Sequence, residues 1–217
     1  MQHGLGCKKG RLVGIRHDDV RDEAGAVSTL ATSAGKVSYE PPTFHGRYIL
    51  ASQQVTRSSR ANNKTLGPDA RGDVMVHGLW KTGQSCVLDV RVSDTDAKSY
   101  KSKSSAKVLE AAEKEKKDKY LHACLERRRS FMPLCYSVDG MAGKEAKAFE
   151  KRIASMLAAK WESPYSEMMG YIRGRMGMAV VRANTMMLRG SHSRRRFIPV
   201  VEDTAAFVAQ EVGESDW

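Results

Sequence analysis

The run Cys86 to Val92, CVLDVRV, constrains this chain more than any other stretch. Its residues alternate: Leu88, Val90 and Val92 fall on one face of an extended strand, and Asp89 and Arg91 on the other. One side packs and the other presents charge, so the run predicts a strand lying between an apolar layer and a polar or catalytic one. Upstream, Asp73 to Val76 followed by Gly78 and the turn Lys81-Thr82-Gly83-Gln84 predicts its hairpin partner. Downstream, residues 93–105 are polar, and a long helix is expected from Ser105 to Arg129. FMPLCYSV, Phe131 to Val138, is a third short apolar run bounded by Asp139-Gly140 and reads as a buried strand. The expected fold class is α/β: a small mixed β-sheet holding the hairpin and the third strand, flanked by helices.

The remaining segments complete this organisation. From Arg16 the pattern turns helical, with Val20, Ala24, Val27, Leu30 and Ala31 three and four apart and Gly35 ending it. Val37 to Glu40 predicts a short strand stopped by Pro41-Pro42. Residues 51–70 carry no period and predict a polar loop. Two C-terminal helices are expected near 143–161 and 164–189, the second with Met168, Tyr171, Ile172, Arg175 and Met178 at helical spacing. The methionines among Met156, Leu157, Met168, Met169, Met176, Met178, Met186 and Met187 read as adaptable core packing. RGSHSRRR, Arg189 to Arg196, and an acidic end form a tail.

Bulk properties point to the class of partner. A chain of 217 residues is long enough for one sizeable core. A formal net charge of +11 makes a polyanion the first expected partner. Cys7, Cys86, Cys124 and Cys135 are scattered without a CxxC pair, which fits a reducing compartment better than a disulfide framework. No apolar stretch approaches the ~20 residues that span a bilayer, so no membrane partner is expected.

The order of charged residues suggests chemistry. Hydrolysis of a phosphodiester needs an activated water and positive charge at phosphorus, and a Mg²⁺ or Mn²⁺ ion held by carboxylates supplies both. Two carboxylates about 5 Å apart repel by roughly 3 kcal/mol at an effective dielectric near 20, so a cation between them is favoured. Asp73, at the start of one strand, and Asp89, inside its partner, are the candidate pair, with the Val90 carbonyl as a further oxygen. Val108, Ala112, Lys116, Tyr120 and Cys124 are successive i+4 positions, so Lys116 interrupts an apolar helical stripe, and Lys119 lies one turn on. A lysine there can face the sheet and steady a phosphorane, or extend to solvent like many lysines at a stripe edge. Arg91 suits a phosphate or neutralises Asp89. Glu40 is a candidate third acid or an exposed strand end, Asp94 and Asp96 read as loop-shaping, and His17 reads as a structural helix residue.

At these residues the chain resembles a known family: the restriction-like endonuclease domain at the C-terminal end of non-LTR retrotransposon polyproteins, of diatom and protist type, within the wider PD-(D/E)XK nuclease group. The resemblance covers roughly residues 1 to 190. RGDVMVHGLW and LDVRVSDTDAKSY are similar to the family's two metal-binding strands, EKEKKDKYLHAC to its lysine helix, and FMPLCYSVDGMAGKEA to the following strand and turn. HGLGCKKGRLVGIRHDDVRDE resembles the stretch leading from a CCHC zinc knuckle into the first helix. The resemblance implies a restriction-endonuclease-like core with Asp73 and Asp89 as metal ligands and Lys116 and Lys119 as catalytic lysines. Beside it, Glu40 is a candidate accessory acid, and Arg71, Arg91, Lys114 and Lys117 are the expected DNA contacts. Gly72 stands where the family has proline, and Arg91 where it has the lysine of D-x-K. His3 and Cys7 match the last two knuckle ligands; a structural zinc takes four, so zinc is expected only with upstream ligands.

The implied organisation is a knuckle remnant over 1–15, a nuclease domain over 16–190, and a basic then acidic flexible tail over 191–217, with Met1 an internal start or a fragment boundary. The implied activity is Mg²⁺- or Mn²⁺-dependent nicking of target DNA in the nucleus, leaving a 3′-hydroxyl that primes reverse transcription. A reverse transcriptase domain upstream and the element RNA would be its partners. The alternative is a non-catalytic, basic nucleic-acid-binding module from a decayed or truncated copy.

Overall fold

The structure, a computed structural model, describes residues 12–39 and 72–189. His3, Cys7, Glu40, the loop at 51–70, Arg71 and the tail at 191–217 lie outside the described residues. Helix α1 (Leu12–Ala31) leads through a short 3₁₀ turn to strand β1 (Val37–Tyr39). Strands β2 (Val74–His77) and β3 (Ser85–Ser93) follow, then helix α2 (Ser105–Glu126), strand β4 (Ser130–Ser137), and helices α3 (Lys144–Trp161) and α4 (Tyr165–Arg189). The class is α/β, with one open mixed sheet in the order β1-β2-β3-β4. β1 and β2, and β2 and β3, pair antiparallel, whereas β3 and β4 pair parallel across the α2 crossover.

The hairpin forms where its glycines permit it. Gly78 and Gly83 both take φ of +79°, a left-handed conformation that residues with a Cβ adopt reluctantly. Beyond the turn, the alternation in β3 sets the layering. Leu88 and Val90, with Val74, Val76, Leu134 and Tyr136, pack against Val20, Ala24 and Val27 of α1 and against α3 and α4. Val87 and Phe131 face the other way, onto Tyr120 and Cys124 of α2. Helices therefore cover both faces: α1, α3 and α4 on one, α2 on the other.

Pro133 sits inside β4, where a missing N–H would break a central ladder. β4 is an edge strand, and its even-numbered N–H groups face β3, as the Val138 N–H to Ser93 carbonyl bond (3.0 Å) shows. Pro133 thus turns its ring nitrogen to the open edge, and the segment carrying Met141 to Gly143 covers that edge.

Two expectations change. Helix α1 is already formed at Leu12, ahead of the helical pattern read from Arg16. Met178 is not core: it is 62% exposed. The inward stripe of α4 is Met169, Ile172, Met176, Ala179, Val180, Ala183 and Met187, and Met178 lies about 200° around the helix from Met176.

The start of α3 is fixed by a side chain from α2. Glu113 is buried and accepts the Glu145 N–H at 3.0 Å, filling one of the unmet donors of that helix end. A Cβ on Gly143 would stand 2.2 Å from Glu113 Oε1 and 3.1 Å from the Cys135 carbonyl. Gly143→Ala is therefore expected to expel Glu113 from its bond and lower unfolding free energy by about 1–3 kcal/mol, read from urea denaturation. An unchanged midpoint would show that the contact is not close.

Candidate active site

Strand β3 outruns its partner. The β2–β3 register ends at Val74 opposite Leu88, so from Asp89 onward no strand among the described residues neighbours β3 on that side. Asp73, just before β2, donates its own N–H to the Leu88 carbonyl (3.1 Å) and turns its carboxylate to meet the next exposed donor, the Val90 N–H, at 2.5 Å. Further along, Arg16 of α1 donates to the Val92 carbonyl at 3.4 Å. Side chains thus do what a longer β2 would have done. Residue 90 presents its carbonyl on the same side as its N–H, toward this open edge.

A cleft of about 420 Å³ lies along this edge, lined among others by Arg16 and His17 of α1, Val90 and Arg91 of β3, and Lys116 and Lys119 of α2. It joins the two layers, because α1 covers one face of the sheet and α2 the other. Each expected acid stands behind a lining residue. Asp89 is buried and its Oδ2 lies 2.6 Å from Lys116 Nζ. Asp73 Oδ2 lies 3.0 Å from His17 Nε2. Asp73 is near enough to act on the ionisation of Asp89, and both carboxylates act on that of Lys116.

Their environments drive them apart. Burial pushes Asp89 up to about 6; Lys116 only partly offsets this, and the charge of Asp73 adds to it. Burial also acts upward on Asp73, but the hydrogen bond and charge of His17, the Val90 N–H and Lys116 together bring it below its ordinary value. His17 is raised in turn, chiefly by its bond to Asp73. Lys116 loses hydration, yet the adjoining Asp89 holds it protonated.

The structure separates the other expected residues. Lys116 reaches Asp89; Lys119 instead is exposed, its ammonium 4.6 Å from the centre of the Tyr120 ring. Of the expected phosphate contacts, Arg91 is paired with Glu115 at 2.6 Å, Lys117 is paired with Glu145, and Lys114 is exposed. Asp94 shapes a turn by accepting the Asp96 N–H at 3.1 Å. His17, read from the sequence as structural, is the partner of Asp73. They are 56 positions apart, and no local pattern links them.

The donor set fits a hard divalent ion. Asp73, Asp89 and the Val90 carbonyl are oxygen donors, the type that Mg²⁺ and Mn²⁺ prefer. Among the described residues no group of three or more His, Cys, Asp or Glu stands ready to hold a metal. A bound ion would draw its remaining ligands from water and a substrate phosphate, as Mg²⁺ commonly does.

Asp89 also gives metal-free stability a definite slope with pH. Its folded value lies above its ordinary 3.8, so between 3.8 and about 6 the folded chain holds a proton that the unfolded chain has released. Its contribution to stability therefore falls as pH rises through that window. Asp73 acts in the opposite sense, losing stability as pH falls through its depressed value. Asp89→Asn is expected to flatten the decline between pH 4 and 6 in metal-free urea titrations; the same decline in the variant would assign it elsewhere.

No known protein family, curated protein or solved structure matches this chain.

Proposed function

We propose that this chain is a divalent-metal-dependent DNA endonuclease with a restriction-endonuclease-like core, nicking target DNA for retrotransposon integration. The observation that carries the reading is that Asp73, at the open edge of β3, lies near enough to the buried Asp89 of that strand to act on its charge, with the Lys116 ammonium on Asp89 beside a cleft lined by Arg91 and Lys119. The four-stranded mixed sheet, with its hairpin followed by a crossover helix, supports the same core.

In this reading Asp73 and Asp89 hold Mg²⁺ or Mn²⁺, which supplies positive charge at the scissile phosphate and acidifies the attacking water. Lys116 exchanges Asp89 for the phosphate oxygens, where a fixed ammonium stabilises charge that grows toward the pentacovalent state. Arg91 and Lys119 neutralise flanking phosphates and hold the strand in line. His17 and the Val90 N–H keep Asp73 ionised. The released 3′-hydroxyl would prime reverse transcription by a polymerase domain on the same polyprotein, placing the activity in the nucleus with element RNA as a further partner.

One observation favours the second reading, a non-catalytic nucleic-acid-binding module. Lys116 already pairs with Asp89 and Glu115 with Arg91, so these charges have partners without a metal. The two readings separate on supercoiled plasmid. With Mg²⁺ or Mn²⁺ the chain is expected to nick it, and Asp89→Ala to reduce the rate on the order of 10²-fold or more. Salt-sensitive binding with no nicking by either protein would support the binding module. Glu115→Gln should free Arg91 and tighten DNA binding roughly two- to five-fold in a filter or anisotropy assay. Unchanged affinity would remove Arg91 from the interface.

A further inference from the structure

Resting on the endonuclease reading, we propose that His17 is a positioning residue for metal binding: it fixes the Asp73 carboxylate so that Oδ1 is the oxygen left to the cation. The need for such a residue follows from where Asp73 lies. It precedes β2, and its backbone N–H is bonded to the Leu88 carbonyl. The terminal torsion of an aspartate is broad and roughly two-fold, so one hydrogen bond does not set which oxygen faces a ligand.

Two donors from two different elements act on one oxygen here. The Val90 N–H from β3 reaches Asp73 Oδ2 at 2.5 Å, and His17 Nε2 from α1 reaches the same Oδ2 at 3.0 Å. A carboxylate only accepts, so Nε2 carries the hydrogen in this bond. With Oδ2 engaged by both, the plane of the carboxylate is set, and no hydrogen bond from the described residues engages Oδ1. The Asp18 carboxylate, 3.5 Å from His17 Nδ1, braces the ring from its far side. His17 itself is 32% exposed and lines the cleft, so it stands between solvent and the acid instead of in the core.

A strut that merely tied α1 to the sheet would affect stability alone; a positioning residue affects metal affinity in a folded protein. Partners that orient a ligating group commonly change metal affinity 10–100-fold when removed. The test is direct Mn²⁺ binding to the full chain, read from the free-ion electron paramagnetic resonance signal at one fixed pH, with circular dichroism confirming the fold. His17→Ala should weaken Mn²⁺ binding about 10–100-fold, and His17→Gln, which keeps an N–H donor at similar reach, should recover most of it. His17→Leu keeps bulk without a donor and serves as the same test if alanine loosens the fold. Wild-type affinity in His17→Ala or His17→Leu, or no recovery in His17→Gln, would overturn the role of His17 while leaving the endonuclease reading intact. No Mn²⁺ binding by the wild-type chain, with Asp89→Ala indistinguishable from it, would instead overturn the metal reading and this proposal with it.

Discussion

Strand β3 is nine residues long and its neighbour β2 is four, and the candidate site exists because of that difference. A backbone N–H or carbonyl left at a half-buried edge needs a partner, and no strand among the described residues supplies one past Leu88. Asp73 satisfies the Val90 N–H and Arg16 reaches the Val92 carbonyl, so polar side chains from outside the sheet are drawn to one stretch of edge. A longer β2 would have closed the ladder and the cleft with it.

The electrostatics follow from the same geometry. Asp89 projects from the middle of a buried strand toward α2, so it loses hydration and is pushed up to about 6 despite the nearby ammonium of Lys116. Asp73, at the edge, gathers an imidazole and a backbone donor and is lowered. Two like groups with ionisation driven in opposite directions are a recurrent feature of sites that handle protons or cations, though ion-pair networks of purely structural use produce it too. Lys116 fits either case. Its neighbours at i±4 on α2, Ala112 and Tyr120, are buried, which holds its stem against the sheet and its charge on Asp89.

Glycine and proline mark where the backbone has little freedom. The β2–β3 hairpin turns through Gly78 and Gly83 at positive φ, and Gly143 leaves room for the buried Glu113 carboxylate at the start of α3. Pro133 is accommodated because β4 is the edge of the sheet and turns that nitrogen outward. The outer face of α4, with Tyr171, Met178, Val181 and Leu188 exposed, shows how a helix apolar on two sides misleads a reading by spacing alone.

Local periodicity made much of the architecture legible. The alternation around Asp89, the i+4 stripe of α2 and the turn residues between β2 and β3 are short-range consequences of strand and helix geometry, and they predicted the hairpin, the long helix and the third strand, while leaving open whether Lys116 faces the sheet or solvent. What joins distant segments left no such trace. The His17–Asp73 bond, the Arg91–Glu115 pair and the Glu113 cap link positions 56, 24 and 32 apart, on elements whose relative placement is set by packing. The sequence by itself determined which residues carry charge and which face of each element they occupy, because side-chain direction repeats every two or 3.6 residues. Only the tertiary structure decided which charges meet, because β2 stops opposite Leu88 and the helices on opposite faces converge on the edge it leaves.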